Sequence, residues 1–597
     1  MLVTICLFLL LYRGLFYFLF QNHIIHKEAY ILSAFLEIYL LYFFFYLHRI
    51  PKTEVATLAK QLLSLFFVSL VLLFLADFIY FLESNKHIGY EVLLLSDRIG
   101  LFFIRHGLME NWRYLLFFLL FFVSSYTLSH KFFSDLKVFS SKTVTIGLIL
   151  SVGIFCYKGK LLFLHNPIHS IVYSFSETTL PGYLKNSRKK NVELMQDLLD
   201  SPRTKFIDPE YPLFRRSVTV GKERKKNVVV LILESWTAKY TDRNIAGINT
   251  TPNFSNLSKE GMIFAKAFAT GNRTANGLVS ILLGFPDLPQ KTLLKTRYVQ
   301  NRFYPLSRIF HSKGYKTFFI STSFLRFENI YPHLQRWGFA TVINQDMLRR
   351  QSQQPITDRT LYREILKKVK RVGNTPFFIV ALTSSSHFPY HLPYGGKKVF
   401  SNSVEEYNFL NTIHFADKAI GDFINDFKKL PQFKDTVFLF IADHTFHRRL
   451  NLLEDRHIPF LVYSPGFVRP QKVDKITSQV DITPLIVDLL QLKTRFVSTG
   501  TSPLSPGDGH AFFAFSRAYG FISPSGIYIN HYLKNNRDTL YTNHDFHTNL
   551  CRENAFTQVC KRLQRTSFAY LDFYTDSIER NLIVPQAKSR GSYIQKK

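Results

Sequence analysis

Five apolar stretches crowd the first 157 residues, and they constrain the chain more than any other feature. Residues 2–20 (LVTICLFLLLYRGLFYFLF), 30–48 and 61–82 match the roughly 20 residues that a helix needs to cross a bilayer. Residues 112–129 and 143–157 are shorter. No basic segment precedes the first stretch and no small-residue cleavage site follows it, so it reads as a span rather than a removed leader. The sequence therefore predicts five transmembrane helices within residues 1–165. Connection 49–60 carries Arg49, Lys52 and Lys60, and connection 130–142 carries Lys131, Lys137 and Lys142, whereas 21–29 carries only Lys27. Basic residues collect on the cytoplasmic side, which places everything beyond Cys156 outside the cytoplasm. Arg13, Glu37 and Asp77 fall inside spans, where they suggest either a transport relay or pairing within the bundle.

Seventy-four Lys and Arg against 43 Asp and Glu give a net charge of +31. A field of that sign attracts nucleic acid or anionic lipid. The outward placement removes nucleic acid as a partner and leaves the outer leaflet or an anionic polymer. Four cysteines are too few for a disulfide framework; Cys551 and Cys560 close a short loop and are able to pair in an oxidising compartment.

Residues 166–220 are polar, with prolines and basic runs, and read as a connection that is helical around Val192–Leu199. The texture then changes. Short apolar runs at Val228–Leu233, Phe318–Ile320, Phe377–Leu382, Val437–Ile441 and Phe460–Tyr463 alternate with helical patterns such as Thr360–Lys370 and Val404–Phe427. Buried strands separated by amphipathic helices predict a doubly wound, mostly parallel α/β sheet over about 221–530, followed by a C-terminal extension over 531–597.

Ligands gather at the carboxyl edge of such sheets, so the residues just after each apolar run are informative. Glu234-Ser235-Trp236, Thr383-Ser384-Ser385-Ser386-His387 and Asp443-His444 occupy those places. Each has an ordinary structural reading, since carboxylates cap helices and histidines hydrogen-bond in cores. Converging on one edge, they are a ligand set for a divalent cation. Thr274 precedes the apolar run Val279–Leu283 and sits near a helix N-terminus, either as its cap or where a developing oxyanion is stabilised.

These residues resemble the alkaline-phosphatase-like metalloenzymes, and within them the membrane-anchored, sulfatase-fold lipoteichoic acid synthases. The likeness runs through NVVVLILESW (227–236), TTPNFSNLSKEGMIFAKAFATGNRTANG (250–277), GYKTFFI (314–320), SSSHFPY (384–390), FLFIADH (438–444) and VDITPLIVDLL (480–490). The resemblance implies that Glu234, Thr274, Asp443 and His444 hold one divalent metal, Mn²⁺ first with Zn²⁺ or Mg²⁺ as alternatives, and that Thr274 is the nucleophile. It implies phosphate-pocket roles for His387 and His457, and makes Arg326 and Asn329 candidates for substrate binding. The activity implied is transfer of glycerophosphate from phosphatidylglycerol to a glycan or glycolipid acceptor at the outer face of the cell membrane. Alternatives are phosphoethanolamine transfer, sulfate-ester or phosphodiester hydrolysis, and a membrane-bound protein that only binds a glycan. Two features depart from the pattern: Thr445 stands where Gly usually follows the Asp-His pair, and the formylglycine motif of arylsulfatases is missing.

Overall fold

The structure is a computed structural model in which residues 188–585 are described, apart from 290–291, 324, 326–329, 352–353, 516–517, 532–536 and 543–544. The five expected spans, Arg326 and Asn329 lie outside the described residues. Among the described residues no helix is long and apolar enough to cross a membrane. The chain divides into two compact units, Met1–Gly182 and Tyr183–Lys597, and the second is described below.

After helix α1 (Arg188–Leu198) come two short strands, β1 (Thr204–Phe206) and β2 (Phe214–Ser217). The main sheet follows with β3 (Asn227–Leu233), β4 (Met262–Phe268), β5 (Lys316–Ser321), β6 (Thr341–Ile343), β7 (Phe377–Leu382), β8 (Thr436–Ala442), β9 (Phe460–Tyr463) and β10 (Gln471–Ser478). Their order across the sheet is β10-β4-β9-β8-β3-β7-β5-β6. All pairings are parallel except the two made by β9, which runs antiparallel to β8 and β4. The fold is thus a mixed α/β sheet.

Strands β3, β7 and β8 (NVVVLIL, FFIVAL, TVFLFIA) lie side by side, buried at every position but Asn227. Continuous apolar runs rather than alternation are what parallel strands covered on both faces require. Each such Val, Leu, Ile or Phe contributes roughly 1.5–3 kcal/mol on full burial. Among the covering helices are α2 (Pro252–Glu260), α3 (Thr274–Leu283), α4 (Asp358–Val372), α5 (Tyr407–Phe427) and α6 (Ile482–Leu489). The α5 carboxylate Asp417 accepts hydrogen bonds from the backbone N–H groups of Asn253 and Phe254, satisfying donors that the start of α2 leaves open.

Two further layers complete the unit. Strand β11 (Arg495–Val497) joins β1 and β2 in a three-stranded sheet, with the buried Arg215 guanidinium between the rings of Phe206 and Phe496. Strands β12 (Ala511–Phe515), β13 (Ala518–Ser523), β14 (Gly526–His531) and β15 (Arg537–Tyr541) form an antiparallel meander. Helix α7 (Thr557–Glu579) packs on that meander and against α1, where Asn191 Nδ2 donates to Asp572 Oδ2 at 2.5 Å. A Cys551–Cys560 disulfide ties the approach to α7 to its first turn.

Candidate active site

The carboxyl ends of β3 and β8 are neighbours because those strands pair in register from Asn227–Thr436 to Leu233–Ala442. Glu234 and Asp443, each the next residue, emerge side by side, both buried. His444 follows, and one ligand atom from each of Glu234, Asp443 and His444 falls within 4.8 Å of the others. Helix α3 begins at Thr274, whose Oγ1 lies 3.4 Å from Glu234 Oε2 and 3.5 Å from His444 Nε2.

Backbone detail produces this convergence. Ser235 adopts φ 59°, in the left-handed region, which turns its N–H onto Asp443 Oδ1 at 2.9 Å. Its hydroxyl donates to Glu234 Oε1 at 2.8 Å. Thr383, at the end of β7, accepts from the Glu234 N–H at 2.9 Å, and Ser386 Oγ donates to the Glu234 carbonyl at 2.6 Å. Gln479 donates to the carbonyls of both Ala442 and Asp443. Gly277 lets the first turn of α3 press against this edge, since a Cβ there would stand 2.4 Å from the Asp443 carbonyl oxygen.

The electrostatics are those of a cation site. His444 donates from Nδ1 to the Thr445 carbonyl at 2.8 Å, which directs Nε2 toward Glu234 Oε1 and Asp443 Oδ2, each at 3.4 Å. Asp443 Oδ2 is buried without a hydrogen-bond partner among the described residues. Burial, and then the neighbouring charge of Glu234, push the Asp443 carboxyl up to about 7. Burial also opposes ionisation of Glu234, but the charge of His387 and the hydrogen bonds from His444 and Ser235 outweigh it and hold Glu234 at about 2. Burial disfavours a charged His444, yet the two carboxylates hold it up at about 9. Two carboxylates and an imidazole nitrogen converging on one point are unstable without positive charge between them. A divalent cation suits these oxygen and nitrogen donors and would supply it.

A second group secures the loop that carries Thr274. His447 stacks on His444 with centroids 5.1 Å apart, contacts Asp455 Oδ1 through Nδ1 at 2.6 Å, and meets the Asn272 carbonyl through Nε2 at 3.0 Å. Arg456 donates to the Gly271 carbonyl at 3.4 Å. Thr445 is not among the residues with positive φ, and its hydroxyl bonds to Asp455. The superfamily's glycine is therefore unnecessary in this turn; the left-handed conformation falls instead at His447 and Arg449.

His387 is exposed, with Nδ1 2.6 Å from the Phe388 carbonyl, and its charge reaches Glu234. His457 is set against β4, its Nε2 2.8 Å from the Ala265 carbonyl, and burial lowers its pKa. It takes no part in the hydrogen bonds that join Glu234, Thr274, Asp443 and His444. Sequence reasoning placed Ser235, Thr383 and Ser386 at the strand ends without giving them their supporting role, and missed Gln479, His447 and Asp455. The signal for His447 was its place three residues after His444 in the same strand-end loop.

Residues 226–492 match the Sulfatase family. Lipoteichoic acid synthase 2 of Bacillus subtilis is 24% identical over 319 residues, covering 48% of this chain and 48% of that protein. The lipoteichoic acid synthase of Staphylococcus aureus is 22% identical over 452 residues, covering 68% of each. The chain thus spans about half the length of the first relative and about two thirds of the second. Among solved structures, an alkaline phosphatase superfamily protein from Vibrio parahaemolyticus superposes with a TM-score of 0.58 at 23% identity, covering 67% of this chain and 98% of that one. A lipoteichoic acid synthase from Listeria monocytogenes does so with 0.52 at 21%, covering 66% and 99%. Both share the fold. The matched region contains the strand ends that bring Glu234, Thr274, Asp443 and His444 together, so residues 226–492 form a sulfatase-like domain similar to the matched region of the lipoteichoic acid synthases.

Proposed function

We propose that the protein transfers glycerophosphate from phosphatidylglycerol to an extracytoplasmic glycan or glycolipid hydroxyl, through a phosphodiester on Thr274. The observation that carries this reading is the Thr274 hydroxyl, at a helix N-terminus and within 3.5 Å of both Glu234 and His444. Glu234, Thr274, Asp443 and His444 would hold a divalent cation, Mn²⁺ by preference with Zn²⁺ or Mg²⁺ as alternatives, whose charge lowers the pKa of a hydroxyl and polarises a phosphoryl oxygen.

Thr274 Oγ1, its proton lost to solvent, attacks phosphorus as the alkoxide while the bond from phosphorus to the diacylglycerol oxygen breaks. His387 protonates that oxygen as it departs. The open N–H groups at the start of α3 stabilise the charge that develops on the phosphoryl oxygens. In the second half the acceptor hydroxyl attacks the Thr274 phosphodiester and gives its proton to His387, and Thr274 departs as the alkoxide that begins the next cycle. The Cys551–Cys560 disulfide supports an oxidising, extracytoplasmic setting. The five apolar stretches, read as spans within residues 1–165, would keep the enzyme beside its lipid donor. The segment 166–220 would connect them to the catalytic region, which the extension beyond 530 completes.

Intact mass of the detergent-purified protein after brief exposure to phosphatidylglycerol and Mn²⁺ tests the reading, with phosphatidylethanolamine in parallel. A glycerophosphate adduct on the wild type and none on Thr274→Ala is the expected result. An ethanolamine-phosphate adduct moves the donor to the other headgroup, and no adduct on metal-loaded protein overturns the transfer.

A further inference from the structure

Large apolar side chains with substantial exposure are few among the described residues, and two of them fall within three residues of each other: Leu392, 36% exposed, and Tyr394, 61% exposed. They lie on the loop that leaves His387. The Gly396 N–H bonds back to the Pro393 carbonyl at 2.9 Å and Gly395 has φ +74°, which closes a tight turn with the left-handed residue at its third position. Tyr394 occupies the second position, at the tip. Leu392 folds over Gly396, where a Cβ would meet its side chain at 2.7 Å, and stays at the surface beside the turn. Two exposed lysines, Lys397 and Lys398, follow, and residues 384–403 contain no acidic side chain.

The root of this loop is rigidly coupled to the site. Tyr390 N–H bonds to the His387 carbonyl at 3.0 Å. The Tyr390 ring packs on Phe446 and Phe409, with centroids 5.1 and 5.4 Å away, and Phe446 is two residues beyond His444. Tyr394 lies four positions after Tyr390, a reach of at most about 14 Å. A tip with one aromatic, one aliphatic and two cationic side chains has the composition that settles at a bilayer surface, the tyrosine at headgroup depth and the lysines among anionic groups. We propose that residues 391–398 form a membrane-contacting loop that seats the site on an anionic lipid surface, with Leu392 and Tyr394 entering the headgroup layer. This deepens the proposed function and rests on its reading of the donor as a bilayer lipid. A phosphodiester whose acyl chains stay in the leaflet is reached only if the site is held at the surface, and the loop holds it there within one short segment of His387.

Two measurements on the full chain reconstituted in vesicles test it. Tyr394→Trp should acquire emission that phosphatidylglycerol brominated near the headgroup quenches at least twofold, while Val220→Trp, at a position 86% exposed elsewhere on the unit, is not quenched. Equal quenching at both positions, or none at Tyr394, overturns the proposal. The double variant Leu392→Ser/Tyr394→Ser should lose about tenfold in transfer from bilayer phosphatidylglycerol, yet keep the wild-type rate on a short-chain, water-soluble donor with the same headgroup. Equal loss on both donors assigns these residues to the fold of the site and rejects the membrane role. If the wild type transfers from neither donor, the reading of the donor fails, while the quenching still decides the loop.

Discussion

The eight-stranded sheet and the four-stranded meander sit in one unit and are built on opposite plans. In the first, paired strands are distant in sequence: Asn227 lies opposite Thr436, and Lys316 opposite Phe377. In the second, each strand turns back on the one before it, from Ala511 to Tyr541. The parallel plan leaves consecutive strand ends along one edge, and that edge gathers Glu234, Asp443 and His444. The meander offers no such edge. It buttresses the other region: the Ala514 N–H bonds to the Thr270 carbonyl at 2.9 Å, and Arg456 stacks on Phe513 and Phe515 while holding the Gly271 carbonyl. Chemistry and support are thus divided between layers, and variants in the first should act on rate while those in the second act on stability.

The largest expected effect tests that division where it is sharpest. Thr274→Ala should cut transfer by at least about a thousandfold, the scale of losing a nucleophile, with the melting temperature unchanged within about 2 °C. A matching loss of stability would mean that Thr274 serves mainly as a structural residue of α3. Next comes the buttress. Cys551→Ser opens a loop with a sequence separation of 9, for which chain entropy predicts a loss of about 2–3 kcal/mol in urea unfolding. Its kcat at 25 °C should stay within about twofold of wild type, and a larger fall would erase the distinction between the layers.

Gly277→Val sits where the distinction narrows, because α3 both packs and presents Thr274. Its side chain would meet the Asp443 backbone, so about 1–3 kcal/mol of stability should be lost together with roughly tenfold in Mn²⁺ affinity by calorimetry. Unchanged affinity would show that the Asp443 turn yields without moving its carboxylate.

The smallest effect is a pH dependence confined to the support. His510 stacks on Phe521 and lies edge-on to Tyr570, and burial, then the charge of Lys475, lower its pKa to about 4. The unfolded chain binds a proton there near pH 6.5 and the folded one only near 4, so this stability is full above 6.5 and lost as pH falls between those values. Discounted for the partial exposure of the ring, the loss is on the order of 1 kcal/mol. Unfolding midpoints at pH 7 and 4.5 should therefore differ less in His510→Gln than in wild type.

The two regions also differ in what the sequence discloses. Val228–Leu233, Phe377–Leu382 and Val437–Ile441 were recognisable as strands because burial on both faces leaves an unbroken apolar run. Edge strand β10 (QKVDKITS) was not, since exposure on its outer side dilutes the signal. The arrangement of residues 531–585 escaped the sequence as well: β15 is short and polar, and the partners of α7 lie as far off as Asn191. Glu234, Asp443 and His444 were legible because strand ends are predictable places. The supporting role of Ser235 and the presence of Gln479 were not, because they depend on a left-handed backbone and on a contact between segments that only the folded chain brings together.

The contact between α1 and α7 bears on where this protein tolerates cleavage. Met195 and Leu199 are fully buried, and the Asn191 amide lies on Asp572 near the end of the described chain. A protease that cut after Gly221 would strip α1 and two strands from the unit and uncover α7, on which α1 packs. An intact unit therefore requires scission ahead of Arg188, and fragments that start later should unfold.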